Sequence, residues 1–206
     1  MPRPRKTDPG QALTAAVLLF WREGYHGVGT RQIETETGVT RFTLQTSYGG
    51  KMQLFLRALD FYLDRFEATL APTMTDGRLE TLARWFETRT PPKDLAPGAP
   101  FGCLMVNSIC EFDGTDDGVS ARAKRFFAIL RQGFAAALTA IDRNGELAPG
   151  LDIETRSQLL TACAVSMNIA MRAGNAEGDP AAIARAGASM VRSWAPVEGG
   201  AESPGR

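Results

Sequence analysis

The stretch from Thr30 to Lys51, TRQIETETGVTRFTLQTSYGGK, constrains the chain most, because two short helical segments flank a single glycine within it. Thr30 is placed to N-cap the first segment, which carries Gln32 and Ile33 and ends at Gly38, the residue type suited to a positive φ after a helix. Thr40 caps the second segment. Val39 and Leu44 are spaced to point inward, while Arg41, Phe42, Thr43, Gln45, Thr46 and Ser47 leave a mostly polar outer surface. Such a helix suits a DNA major groove: hydroxyls and an amide reach base edges or phosphates, Phe42 can touch a thymine methyl, and Arg41 and Lys51 neutralise phosphates at its two ends. Small helical hairpins in bundles share this spacing, so the surroundings must decide.

The charge is distributed accordingly. The chain balances 23 basic against 23 acidic residues, yet residues 1–51 hold seven Lys or Arg against four Asp or Glu, a basic head on an acidic body. Arg3, Arg5 and Lys6 form either a mobile arm on DNA or a solvated terminus. From Asp8 onward the chain resembles the TetR family of bacterial transcriptional repressors, through Leu19, Phe20, Gly24, Tyr25, Ile33, Gly38, Val39, Thr40, Leu44, Tyr48 and Lys51 in order. Three positions depart from that pattern: Glu34 stands where a small Ala is usual, Phe42 where a small residue is usual, and Gln45 where a Tyr is usual. The resemblance implies a helix-turn-helix domain over residues 1–51, with Thr30, Arg31 and Tyr48 joining the groove-helix residues at the DNA. It implies a ligand-binding and dimerisation domain over residues 52–196. Residues 197–206, rich in Gly, Pro and Glu, read as a disordered tail.

The remaining periodicity is helical, so the fold class is all-α. Asp8 and Pro9 open a first helix that buries Ala12, Ala15, Ala16, Leu19 and Phe20 and ends at Gly24, leaving Tyr25 to Gly29 as a loop. His26, the chain's only histidine, reads as a solvated loop residue. The three glycines of that loop follow a helix, not a strand, and so do not form a phosphate cradle. Further helices are predicted from Lys51 to about Leu70, around Leu79–Phe86, from Gly102 to about Asp113, through Val119–Ile141, from Glu154 to about Gly174 and from Pro180 to about Trp194, with 91–100 as a Pro-rich loop. The last two are rich in Ala, Gly and Ser, which permits close backbone approach. We expect a two-fold dimer through Leu160, Ala164, Met167, Ala184, Ala188 and Val191, the alternative being an internal helix pair; the resemblance implies the same dimer.

A dimer with two such heads would read a pseudo-palindromic double-stranded operator, released by a small-molecule inducer in the body. Candidate pocket residues are Trp85, Phe86, Phe101, Met105, Phe112, Phe127, Leu130, Met167 and Met171; residues of these types are more often plain core, and the abundance of Met and Phe is what argues for an adaptable cavity. The segment Gly102–Glu111 resembles a TetR subgroup that includes thiol-based electrophile sensors, which makes Cys103, with Asn107 and Glu111 on its face, a candidate for a reactive inducer. A place in the first helical turn would favour its thiolate; the alternative is an inert buried cysteine. Three cysteines do not make a secreted disulfide framework, and with no signal peptide or long apolar run the expected compartment is the cytoplasm, with no membrane partner. The chain shows no metal-ligand spacing, P-loop or Gly-x-Ser-x-Gly, so neither an enzyme, a metal nor a cofactor is expected. A DNA-silent helical dimer that kept the fold, and a thiol-based enzyme built on Cys103, are the alternatives.

Overall fold

The computed structural model describes residues 8–70, 76–88, 101–174 and 179–196. The expectations for the basic arm, the 91–100 loop and the 197–206 tail fall outside them. Among the described residues every regular element is a helix. Helix α1 spans Pro9–Gly27; Asp8 caps it by accepting from the Gly10 N–H at 2.9 Å, and Pro9 takes the position where no N–H is needed. The helix does not simply end at Gly24. That residue adopts φ 76°, ψ 171°, a break that only glycine enters without strain, and Tyr25–Gly27 resume as one more turn instead of a loop.

Helix α2 (Thr30–Thr37) is entered through Gly29 in extended conformation, so Thr30 is its first residue and not its cap. Gly38 ends it at φ 70°. Thr37, buried, donates its hydroxyl to the Ile33 carbonyl and accepts from the Val39 N–H, which fixes the turn. Ile33 makes the inward contact while Glu34 is exposed, so the larger side chain does not enter the helix crossing. Helix α3 (Arg41–Thr43) is capped by Thr40, whose hydroxyl accepts from the Thr43 N–H at 3.1 Å. It widens into a π-helical turn over Leu44–Tyr48, closed by Gly49 at φ 80°.

Helix α4 (Lys51–Leu70) carries Phe55 and Leu59 in the core and packs on both α1 and α7, so one continuous apolar core joins head to body. The body adds α5 (Leu79–Thr88), α6 (Leu104–Phe112), α7 (Asp117–Arg143), α8 (Ile153–Ala173) and α9 (Pro180–Arg192). Asp116, Asp152 and Asp179 cap α7, α8 and α9. Helix α9 lies on α5 and α8. A side chain at Gly187 would stand 3.1 Å from both Phe86 and the Cys163 sulfur, which shows how closely the small residues let these helices approach. Arg192 clamps the same contact by pairing with Glu80 and Glu87 on α5. No helix among the described residues is long and apolar enough to cross a membrane.

Candidate nucleic-acid interface and ligand cavity

The polar face of α3 and its π turn is presented to solvent as its sequence dictates. Leu44 is fully buried and anchors the turn, whereas Arg41, Gln45, Thr46 and Ser47 are exposed and Thr43 and Tyr48 half-buried. Phe42 is 77% exposed, an apolar cost that none of the described residues offsets. Thr40 and Thr43 share a hydroxyl–hydroxyl bond and Thr46 donates to the Phe42 carbonyl, so these hydroxyls are oriented in advance. Thr30 and Arg31 stand exposed at the open end of α2. Neither Arg31 nor Arg41 makes an ion pair with a described residue, unlike Arg22, which Glu23 and Glu36 neutralise. Lys51, expected at the end of the groove helix, is half-buried at the start of α4. Its ammonium lies 4.2 Å over the Tyr25 ring, and burial pulls its pKa below the ordinary lysine value against the attraction of Glu111.

The head is clasped to the body around the Gly24 break. Beyond it, the Tyr25 and His26 N–H groups donate to the two oxygens of Glu111 on α6, at 2.9 and 2.6 Å. Before it, the Trp21 and Arg22 carbonyls accept from Arg172 on α8 at 3.4 Å. The Phe112 ring packs against Tyr25, His26 and Phe55. Glu111 and Phe112 therefore serve the joint between head and body.

A cavity of about 150 Å³ lies between the body helices and α1. Of the expected pocket residues it brings together Trp85, Cys103, Leu130, Met167 and Met171. The others are elsewhere. Phe86 packs on Trp85 and Phe134, Met105 is core, and Phe101 stands beside Trp21. Asn107 spends its amide on the Phe101 carbonyl at 2.7 Å, holding the entry to α6, and Phe127 faces a separate outer groove. The walls that periodicity did not single out as pocket are Trp21, Tyr62, Phe66, Gly102, Phe126, Ala164 and Asn168. Four of them occupy the inward positions of α1, α4 and α7, where apolar spacing reads equally well as core.

Cys103 is the N-cap of α6 in extended conformation, one residue before the first turn in which its sequence placed it. It is 3% exposed and its sulfur is 3.1 Å from the Tyr62 hydroxyl. Cys110 is exposed on the surface, and burial raises the Cys163 thiol pKa. Among the described residues no cluster of His, Cys, Asp and Glu could hold a metal.

The expected dimer residues are all interior. Leu160, Ala164, Met167, Ala184, Ala188 and Val191 are each at most 1% exposed within a single chain, because α9 packs closely on α5 and α8 of the same molecule through its small residues. They have no surface left to bury against a second copy. The exposed apolar surface of α8 is its opposite face, with Leu159 41% and Ile169 49% exposed beside a groove of about 500 Å³ that includes Phe127, Arg131, Ala162 and Val165.

Comparison with known proteins bears on both parts of the chain. Residues 12–58 match the family described as bacterial regulatory proteins, tetR family, and residues 78–190 match the tetracyclin repressor-like C-terminal domain. The chain is 25% identical over 174 residues to the HTH-type transcriptional repressor ComR of Escherichia coli (strain K12), spanning 84% of this chain and 83% of that protein. Its fold superposes on a TetR-family transcriptional regulator from Cytophaga hutchinsonii with a TM-score of 0.79 at 13% identity, over 94% of this chain and 98% of the other. A cysteine-substituted mutant of the TetR-family regulator CifR, solved with 26-base-pair double-strand operator DNA, superposes with a TM-score of 0.68 at 21% identity, over 94% and 100% of the two chains.

Proposed function

The chain belongs to the tetR family of bacterial transcriptional regulators, and from that premise we propose that it is a two-fold dimeric repressor whose DNA-binding head, residues 1–51, is controlled by a ligand held in a body formed by residues 52–196. The observation that carries the DNA reading is the face of α3: Arg41, Phe42, Gln45, Thr46 and Ser47 exposed together on a turn pinned by buried Leu44, with the Arg31 and Arg41 cations unpaired by described residues. Gln45 offers an amide that pairs with adenine in the major groove, and the exposed Phe42 ring offers an apolar contact to a thymine methyl. Two such heads read half-sites roughly 34–36 Å apart, or a related spacing. The unspent apolar face of α8 around Leu159 and Ile169 supports dimerisation there.

The experiment is a mobility-shift titration against the DNA flanking the protein's own gene, at two salt concentrations. Arg41→Ala should weaken operator and random duplex alike and flatten the salt dependence, as loss of a phosphate contact does. Gln45→Ala should cost about 1–3 kcal/mol on the operator and little on random DNA. Equal losses on both duplexes would remove Gln45 from base reading, and no retardation of any flanking fragment would favour the DNA-silent dimer.

Cys103 supports a covalent form of induction, because its sulfur lies in the wall of the cavity that an inducer would occupy. The Cys103 sulfur adds to one alkene carbon of a maleimide admitted there, the C=C π bond breaks, and the thiol proton is lost to solvent while the neighbouring carbon takes up a proton. N-ethylmaleimide at low excess should then release operator from the wild type and not from Cys103→Ser, with Cys110→Ser and Cys163→Ser behaving as wild type.

A further inference from the structure

The cavity is selective in a way its apolar walls conceal. Among the described residues no charged side chain lines it. Its polar groups are few, and most are already engaged. The Tyr62 hydroxyl and the Cys103 sulfur bond each other at 3.1 Å, and Asn168 donates its amide to the Ala164 carbonyl at 2.8 Å. Among the described residues the buried Trp21 indole nitrogen meets no acceptor. An indole N–H is a donor only, and leaving it unmade costs free energy that a suitable guest recovers. An anionic or cationic guest would find no opposite charge in the walls, and burying it unpaired is prohibitive. A volume of about 150 Å³ is the size at which an apolar cavity holds one benzene-sized ring.

We propose that the inducer is an uncharged carbonyl compound with a single ring of about that size, its oxygen accepting a hydrogen bond from Trp21 Nε1. A carbonyl suits this wall better than an alcohol, which would bring a donor of its own that also has to be satisfied. Trp21 lies on α1, in the DNA-binding head, and its own carbonyl accepts from Arg172 of the body. The guest therefore touches the head directly, on the N-terminal side of the Gly24 break. This proposal rests on the reading of the body as a ligand-binding unit.

The test titrates the full chain by calorimetry with four probes: cyclohexanone, methylenecyclohexane, cyclohexanol and cyclohexanecarboxylate. Cyclohexanone should bind at least ten-fold more tightly than methylenecyclohexane, which has the same ring and no oxygen, and more tightly than cyclohexanol; the carboxylate should give no heat. In Trp21→Phe, which keeps an aromatic wall, the ketone and the alkene should bind alike. A measurement on the unmutated protein guards against a misfolded variant: of the three tryptophan indole N–H resonances, that of Trp21 should shift with the ketone and stay in place with the alkene. Equal affinities for the two neutral rings, a preference for the alcohol or the carboxylate, an unmoved Trp21 resonance, or no binding by any probe would overturn the proposal. Operator release is read separately by fluorescence anisotropy. Ketone selectivity without release would leave the ligand class standing and remove ligand control of DNA binding.

Discussion

Replacing Glu111 by alanine tests whether the body holds the head through a single carboxylate. Glu111 accepts two backbone N–H groups, from Tyr25 at 2.9 Å and His26 at 2.6 Å. A hydrogen bond to a charged group contributes about 1.5–3 kcal/mol when its donor cannot turn to water. Tyr25 is half-buried and counts near the middle of that range, while exposed His26 is largely resolvated and counts for well under half of it. The loss should therefore total about 2–3 kcal/mol, which in a chain of this size lowers the melting temperature by about 4–12 °C. Glu111→Gln keeps one carbonyl acceptor and loses the charge, so about half of that fall is expected. Thermal unfolding gives the magnitude, and amide hydrogen exchange gives the place: Tyr25 and His26 should lose protection in the alanine variant while the amides of α8 do not. If melting stays within about 1 °C and those two amides exchange no faster, the carboxylate does not hold the joint and the reasoning fails.

Two further outcomes follow from the body. Glu80, beside Arg192 and Arg84, has its carboxyl held down to about 2 from an ordinary 4.5, so the α5–α9 clamp contributes stability above the ordinary value and loses it as pH falls toward the depressed one. Between pH 4.5 and 2 the wild type should therefore lose more melting temperature than Glu80→Gln, and parallel losses would refute the assignment. For the dimer, Ile169→Glu buries an unpaired charge if the exposed α8 face is the interface, and light scattering should report monomers of unchanged fold. Ala184→Glu, by contrast, should lower thermal stability sharply, because its methyl is inside the chain; a stable monomer from Ala184→Glu and an intact dimer from Ile169→Glu would return the interface to the inner face.

What the sequence made legible follows from how local each signal is. Helix α4 was readable from Lys51 to Leu70 because Gly49 and Gly50 break the chain before it and its apolar residues keep a 3.6 period. Gly38 and Thr40 announced the turn between α2 and α3 for the same reason. The extra turn after Gly24 was hidden, since its partner Glu111 lies 86 residues away from Tyr25. The small residues of α9 correctly forecast close helix contact but carry no information on whether the neighbour is α5 or a second copy. Trp21 escaped the pocket reading because α1 read as part of the head, and only the packing of α1 against the body shows that one of its rings belongs to the cavity.

The break at Gly24 has a geometric consequence for any two-fold assembly of this chain. One pair of backbone torsions, gripped by an anion on one side and a cation on the other, lies at the joint of each head, beside the α4 packing that links head to body. Symmetry then copies a tilt of one head into its mate with opposite sense, so the distance between the two groove helices changes by twice the displacement of either. The operator acts as a fixed ruler, because its groove repeat does not stretch to follow. The dimer proposed above would let go of DNA by losing pitch, with the exposed side chains of α3 still in place.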